Sequence, residues 1–304
     1  MPRTFHPSRH GRLAGATLAA LLATAPAATA QAQVEGLEIV APAGPGGGYD
    51  QLARATQQVL QSQDLASGVQ VVNVPGAGGT IGLAQFATGR KRGANAMVAG
   101  LGLVGAALTN KAPVTLDDVT PLARLTGEYE VLVTPADSEI RTLDDLVERF
   151  KADPGAVTWG GFALGSPDHI VAGLVAKEVG VDPAKLNYIV SGAGGEMLAQ
   201  VMGGHITVGI GGYNEFAQQV DAGKLRVLGI SAPERVPGID APTFKEQGVD
   251  VTLVNWRGLM APPDPRPADK EALDEAIAKM VQSPEWKQIL EERGWVDLYL
   301  PSDQ

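Results

Sequence analysis

Short apolar runs alternate with glycine-rich turns and helical patterns along most of this chain. Residues 37–40 read as a strand, and after a turn at 44–48 the residues Leu52, Ala55, Val59 and Leu60 mark one helical face over 49–60. A second strand over 69–74 precedes Pro75-Gly76-Ala77-Gly78-Gly79 and a helix from about Thr80. Residues 96–99 form a third strand, leading into Gly100-Leu101-Gly102. A second block repeats this grammar. Its strands are expected over 129–134, 157–159, 187–190, 208–210 and 227–230, most of them followed by a glycine turn and a helix. Thr142 and Asp145 have capping-box spacing, and Ser166-Pro167 places a hydroxyl N-cap before a proline at the first helical position. Two helical stretches, 268–281 and 284–293, and a strand over 296–300 close the chain.

Strands alternating with helices predict an α/β fold with mostly parallel sheets covered on both faces. Two blocks, with the C-terminal helices free to return to the first, predict two lobes: 34–130 plus 255–304, and 131–254. No flexible linker separates them, so the connection is expected to act as a hinge.

The first thirty residues have a different character. Arg3, Arg9 and Arg12 precede an apolar run over 13–25 and a small-residue site at Ala28-Thr29-Ala30. This predicts an export signal over 1–30, cleaved near Ala30, and hence a periplasmic protein. Without the leader, 21 Lys and Arg stand against 34 Asp and Glu, a net charge of −13. Such a chain has no electrostatic footprint for nucleic acid. An anion site would have to be made locally. Cysteine is absent, which removes thiolate metal sites and Cys nucleophiles. Only His169 and His205 lie beyond the leader, too few for a multi-histidine metal site. No metal or other cofactor is expected.

The 38 glycines cluster between strands and helices. In open parallel sheets those loops lie at the carboxyl edge, where ligands bind. A helix starting there presents unpaired N–H groups and the positive end of its dipole, and glycine lets a ligand approach the backbone. Several such starts facing one cleft make a receptor for a carboxylate or phosphate. The nucleotide fingerprints fail on spacing. G-x-G-x-x-G from Gly44 ends at Tyr49, and from Gly76 it ends at Ile81; Gly223-Lys224 is followed by Leu225. The G-x-S-x-G elbow around Ser231 is broken by Pro233.

These loops resemble a known family, the extracytoplasmic receptors of tripartite tricarboxylate transporters, or Bug receptors. The resemblance rests on Val40-Ala41-Pro42-Ala43-Gly44-Pro45-Gly46-Gly47-Gly48-Tyr49-Asp50 with Ala53-Arg54, and on Val74-Pro75-Gly76-Ala77-Gly78-Gly79-Thr80-Ile81-Gly82. It extends through Trp159-Gly160-Gly161, Gly165-Ser166-Pro167-Asp168-His169, Ala222-Gly223-Lys224-Leu225-Arg226-Val227-Leu228, Pro242-Thr243-Phe244-Lys245-Glu246-Gln247-Gly248 and Asn255-Trp256-Arg257-Gly258. It implies a two-lobe, flytrap-like periplasmic binding protein of type II character, monomeric and not an enzyme. Such a receptor captures a small di- or tricarboxylate, citrate-like or aromatic, and presents it to a permease of one large and one small membrane subunit. Some members serve a sensor kinase instead.

Carried onto this sequence, the first-lobe contacts are Gly44, Pro45, Gly46, Gly47, Gly48, Tyr49 and Asp50, then Ala77, Gly78, Gly79 and Thr80. The second-lobe contacts are Phe162, Ala163, Leu164, Gly165 and Ser166, with His169 behind them. Phe162-Ala163-Leu164 is more apolar than the Ser/Gly-rich version common in the family, which suits a ligand with an apolar body.

Each candidate also has a purely structural reading. Asp50 sits where an acid offsets the helix dipole, and Arg54 one turn on is placed to pair with it. Ser166 is a cap, His169 is a packed histidine unless it reads a second carboxylate, and Glu215 caps a helix. Tyr213 is a lid or stacking residue, or an ordinary loop aromatic. Arg257 needs a partner when buried, either a structural acid or a distal ligand carboxylate held bidentately. A periplasmic α/β hydrolase is the alternative from a different class. It would need a nucleophile, a base and an oxyanion hole together.

Overall fold

An apolar strand followed by an amphipathic helix hides both faces only within a helix-covered sheet, and the chain repeats this unit. The computed structural model describes residues 34–89, 93–191 and 194–304. The export signal expected over 1–30 lies outside them. The elements are β1 Val34–Glu35, β2 Glu38–Ala41, α1 Gly48–Ser62, β3 Ala66–Ser67, β4 Gln70–Asn73, α2 Thr80–Thr88, β5 Asn95–Gly100 and α3 Leu101–Thr109. Then come β6 Thr120–Pro135, α4 Leu143–Ala152, β7 Thr158–Gly161, α5 Pro167–Glu178, β8 Asn187–Val190, α6 Gly194–Met202, β9 Val208–Gly212, α7 Tyr213–Asp221 and β10 Leu225–Ile230. Last are β11 Val254–Ala261, α8 Pro267–Gln282, α9 Pro284–Glu292 and β12 Val296–Pro301.

The sheet runs β4-β2-β5-β11-β6-β9-β7-β8, with β10 and β12 also paired to β6. Within each block the strands are parallel: β2 lies between β4 and β5, and β7 between β8 and β9. The sheet as a whole is mixed, because every antiparallel pair in it involves β6 or β11. Those two strands carry the chain out to the second block and back, so they run in opposite directions. The apolar pattern at 129–134 marks only the far end of the 16-residue β6, and β11 falls on residues with no clear strand period.

Buried apolar side chains form four clusters among the described residues. Two draw on residues up to Leu125 and again from Leu259 onward. The other two draw on residues between Val131 and Val251. Each half of the sheet is thus covered on both faces by its own core, the condition for two lobes. At the crossing, β6 turns polar: Thr126, Gly127, Glu128, Tyr129 and Glu130 separate the two cores.

Candidate functional site

Helix starts among the described residues differ in how they are capped. At α4, Thr142 Oγ1 accepts from Asp145 N–H at 3.1 Å and Asp145 accepts in return from Thr142 N–H at 2.9 Å, a complete capping box far from the crossing. The starts of α1, α2, α3 and α7 lie on Gly47, Gly79, Gly100 and Gly212, with no side-chain cap. Their first-turn N–H groups lack intrahelical acceptors and leave room for a ligand's negative group.

The α1, α2 and α7 starts border one cleft between the lobes, of about 1130 Å³. Of the residues expected to bind, Gly44, Pro45, Gly46, Gly47, Gly48, Tyr49, Gly78, Gly79, Phe162, Ala163, Ser166 and Arg257 line it. The lobes touch at both rims. On one side Thr109 Oγ1 donates to the Leu164 carbonyl at 3.3 Å, and a Cβ on Gly105 would stand 1.8 Å from the Gly165 carbonyl oxygen. On the other side Asn214 Nδ2 donates to the Arg293 carbonyl.

The remaining expected residues do not line the cleft, and each has a physical reason. Asp50 is 2% exposed, covered by its own partners: its carboxylate accepts from Gly46 N–H at 2.8 Å, Arg54 Nε at 2.9 Å and Asn73 Nδ2 at 2.9 Å. Burial opposes its charge, but these donors win and hold it below the usual carboxylate range. Asp50 shapes the loop, with both of its oxygens engaged by neighbouring donors. Ala77 is at φ 48°, and its carbonyl accepts from Thr80 Oγ1 and Asn110 Nδ2 at 2.9 Å each, so Ala77 and Thr80 close a turn on themselves. Leu164 is 55% exposed on the outer tip, and Gly165 is used in the rim contact. His169 Nδ1 accepts from Gly165 N–H at 3.2 Å, and its ring packs edge-on to Tyr188 at 4.7 Å; burial lowers its pKa. Tyr213 packs into a lobe-two core.

Arg257 lines the cleft, and its partner is a structural acid. Its Nη2 donates to Glu128, and it lies beneath the glycine loop, where a Cβ on Gly48 would meet Nη2 at 2.6 Å. Burial works against the guanidinium charge, but Glu128 more than offsets this.

Glu128, Glu130, Asp168, Glu215, Asn255 and Arg293 also line the cleft and are not among the residues expected to bind. Glu128 and Glu130, two apart on β6, face one side of the sheet. Asn255 Nδ2 bridges them at 3.3 and 3.1 Å. Asp168, in the first turn of α5, accepts from Phe162 N–H at 2.8 Å and Ser166 Oγ at 3.1 Å. Glu215 keeps solvent contact through the cleft mouth yet is flanked by protein on its other sides. Burial raises Asp168 to about 6 and, with the neighbouring acids, Glu215 to about 8. Glu130, 1% exposed, is pushed well above the carboxylate range by burial and then by Asp168, Glu128 and Glu215. Arg293 stands at the mouth, donating to Gln51 Oε1 at 3.0 Å with its guanidinium 5.2 Å over Trp295. The legible signal was Glu-Tyr-Glu at 128–130, a pair of acids interrupting an apolar strand.

Among curated relatives, the chain is 29% identical over 253 residues to protein BugT of Bordetella pertussis, covering 81% of this chain and 76% of that one. Among solved structures, a TctC solute-binding protein from Polaromonas is 27% identical with a TM-score of 0.68, covering 88% of this chain and 92% of that one. MatC from Rhodopseudomonas palustris, with bound malate, shares the fold at 22% identity and a TM-score of 0.74, covering 87% and 90%. The sequence profile described as the tripartite tricarboxylate transporter family receptor matches residues 52–304. With a cleft of uncapped helix starts between two α/β lobes and that match over most of its length, the chain belongs to the tripartite tricarboxylate transporter receptor family, whose members bind solutes and are not enzymes.

Proposed function

We propose that this protein is the solute-capturing receptor of a tripartite transporter, closing its lobes over a small molecule that carries a carboxylate. The carrying observation is the convergence of the uncapped, glycine-lined starts of α1, α2 and α7 on a single cleft, in a molecule whose net charge of −10 would otherwise repel anions. Dipoles at contact range outweigh distant charges screened over a Debye length. The loaded, closed form then passes the ligand to a permease of one large and one small membrane subunit, in the periplasm, after removal of a leader near Ala30. Among the described residues no helix is long and apolar enough to cross a membrane.

The family resemblance brings di- and tricarboxylates as the ligand class, and MatC holds malate. At 22% identity that neighbour speaks for the fold alone, and five acids, Glu128, Glu130, Asp168, Glu215 and Glu292, line the cleft of this chain. The reading proposed is therefore one carboxylate at the helix starts, with the rest of the ligand set by the cleft's other walls. Thermal unfolding against a panel of organic acids and amino acids tests it. A true ligand at about a hundred times its Kd adds about 2.7 kcal/mol of stability, or roughly 5–10 °C in Tm for a protein of this size. A panel in which no carboxylate moves the midpoint sinks the reading.

A further inference from the structure

The cleft holds more acids than its own cations can balance. Glu128 and Glu130 come from β6, Asp168 from α5 and Glu215 from α7, and all four line the cavity, as does Glu292 of α9, whose Oε1 accepts from Gln288. A Cβ on Gly211 would stand 3.0 Å from Glu215 Oε2, and one on the adjacent Gly212 would stand 3.0 Å from Glu128 Oε2. A Cβ on Gly161 would stand 3.0 Å from Asp168 Oδ2. Glycines at the strand ends thus make room for the carboxyl groups. Arg257 from β11 is the cation acting on these acids, and its ion pair goes to Glu128. Arg293 also lines the cleft, but stands at its rim, engaged with Gln51 and Trp295. Tyr49 on α1 lines the same cleft, and burial raises its pKa, so its phenol stays neutral. Glu130, Asp168 and Glu215 are left in surplus.

One atom shows that folding alone does not account for the cluster. Glu130 is 1% exposed and lines the cleft; its Oε1 accepts from Asn255, while its Oε2 is buried and receives no donor from the fold, its side chain otherwise meeting only the Asp168 carboxyl. Leaving a buried acceptor unmade costs about 1–3 kcal/mol, and clustered buried carboxyls of shifted pKa mark functional sites. The missing partner is a donor that brings positive charge. A protonated amine has three N–H donors and no acceptor, which matches three surplus carboxyls.

We infer that the ligand is an aminocarboxylate, its carboxylate at the glycine-lined starts of α1 and α2 and its ammonium among Glu130, Asp168 and Glu215. This rests on the receptor reading above and narrows its ligand. A second ionised carboxylate in that position would instead face three acids. Before ligand binds, each acid holds its proton only below its raised pKa, Asp168 below about 6 and Glu215 below about 8; an ammonium replaces those protons as the countercharge. Binding therefore releases protons, and affinity rises with pH between about 6 and 8, where Asp168 and Glu215 titrate, by up to about tenfold per unit for each proton released. A diacid needs the protons retained, so its affinity falls over the same range.

The test is calorimetric titration of the purified protein with matched probes: β-alanine against succinate, 4-aminobutyrate against glutarate and against butyrate, a set of L-amino acids against malate and citrate, and 1,3-diaminopropane. The expected result is an aminocarboxylate that binds at least about tenfold tighter than its matched diacid, with affinity rising from pH 6 to 8. Glu130→Gln and Glu215→Gln should each reduce that preference; Glu215, at the cleft mouth, keeps the test available if Glu130→Gln fails to fold. Diacids binding as tightly as aminocarboxylates, or butyrate matching 4-aminobutyrate, overturn the inference and leave the receptor reading standing. If the diamine alone binds, or no probe binds, the carboxylate anchor falls with it.

Discussion

Alanine at Gly105 separates ligand capture from folding. A Cβ there would lie 1.8 Å from the Gly165 carbonyl oxygen and 2.8 Å from its carbon. Both atoms are backbone across the rim of the cleft, so no side-chain rotation relieves the overlap. The 162–166 loop or α3 must retreat by roughly 1.5 Å to regain ordinary van der Waals contact. Within α3 itself alanine is the better helix former, so the lobe carrying it is not weakened. The penalty falls on the closed arrangement alone. Taking the usual overpacking cost of about 1–3 kcal/mol, Kd rises roughly 5- to 150-fold. Calorimetric titration with the tightest ligand found reads the affinity, urea unfolding of the free protein reads the stability, and small-angle scattering reads the closure. The expected set is a weakened Kd, an unfolding midpoint equal to wild type or slightly higher, and a loaded form less compact than wild type. Gly173 on α5 has open space around its Cβ position; Gly173→Ala should stabilise by about 0.5–1 kcal/mol and leave Kd unchanged. A wild-type Kd for Gly105→Ala would refute the reasoning. So would a loss of free-protein stability as large as the loss of affinity, because the rim contact would then belong to the fold rather than to closure.

Arg257→Met leaves Glu128 without its buried partner and should cost about 3–5 kcal/mol in urea unfolding, and Glu128→Gln on the same background should recover part of it. Asp50→Ala removes the acceptor of Gly46 N–H, Arg54 and Asn73 and should cost about 1–3 kcal/mol. Because the native pKa of Asp50 is depressed, its contribution is present above the unfolded carboxylate range and is lost as pH falls through the native value; a variant with an unchanged acid limb would contradict this. The cleft acids carry the opposite sign. Their native pKa values are raised, so the ligand-free protein should be most stable below about pH 4 with respect to these groups and lose stability as pH rises to about 8, through Asp168 near 6 and Glu215 near 8. In a Tm series against pH, Glu215→Gln should flatten the upper part of that decline.

Much of the lobe architecture is readable along the chain, because a βα unit is specified by residues a few positions apart. The period of Leu52, Ala55, Val59 and Leu60 places α1, and all four are buried in it. Thr142 with Asp145 and Ser166 with Pro167 cap α4 and α5 as their spacing requires. The glycine loops at 44–48 and 78–79 are legible as cleft residues for the same local reason. Asp50, His169 and Tyr213 lie outside the cleft lining because neighbours distant in the chain decide where their side chains go. Asn73, which takes one Asp50 oxygen, is 23 residues away, and Tyr188 packs on His169 from another strand.

By itself the sequence determined the alternation of strands and helices, the glycine starts that leave amides unpaired, and the expectation of a local anion site in an acidic chain. The tertiary structure decided what else that cleft contains. Pairing of β6 with β11 sets Glu128 opposite Asn255 and Thr126 opposite Arg257, and the turn-ins of α5 and α7 add Asp168 and Glu215 from distant parts of the chain. Register and convergence depend on contacts across more than a hundred residues. A carboxyl's proton affinity depends on the company it keeps, and only the folded chain fixes that company.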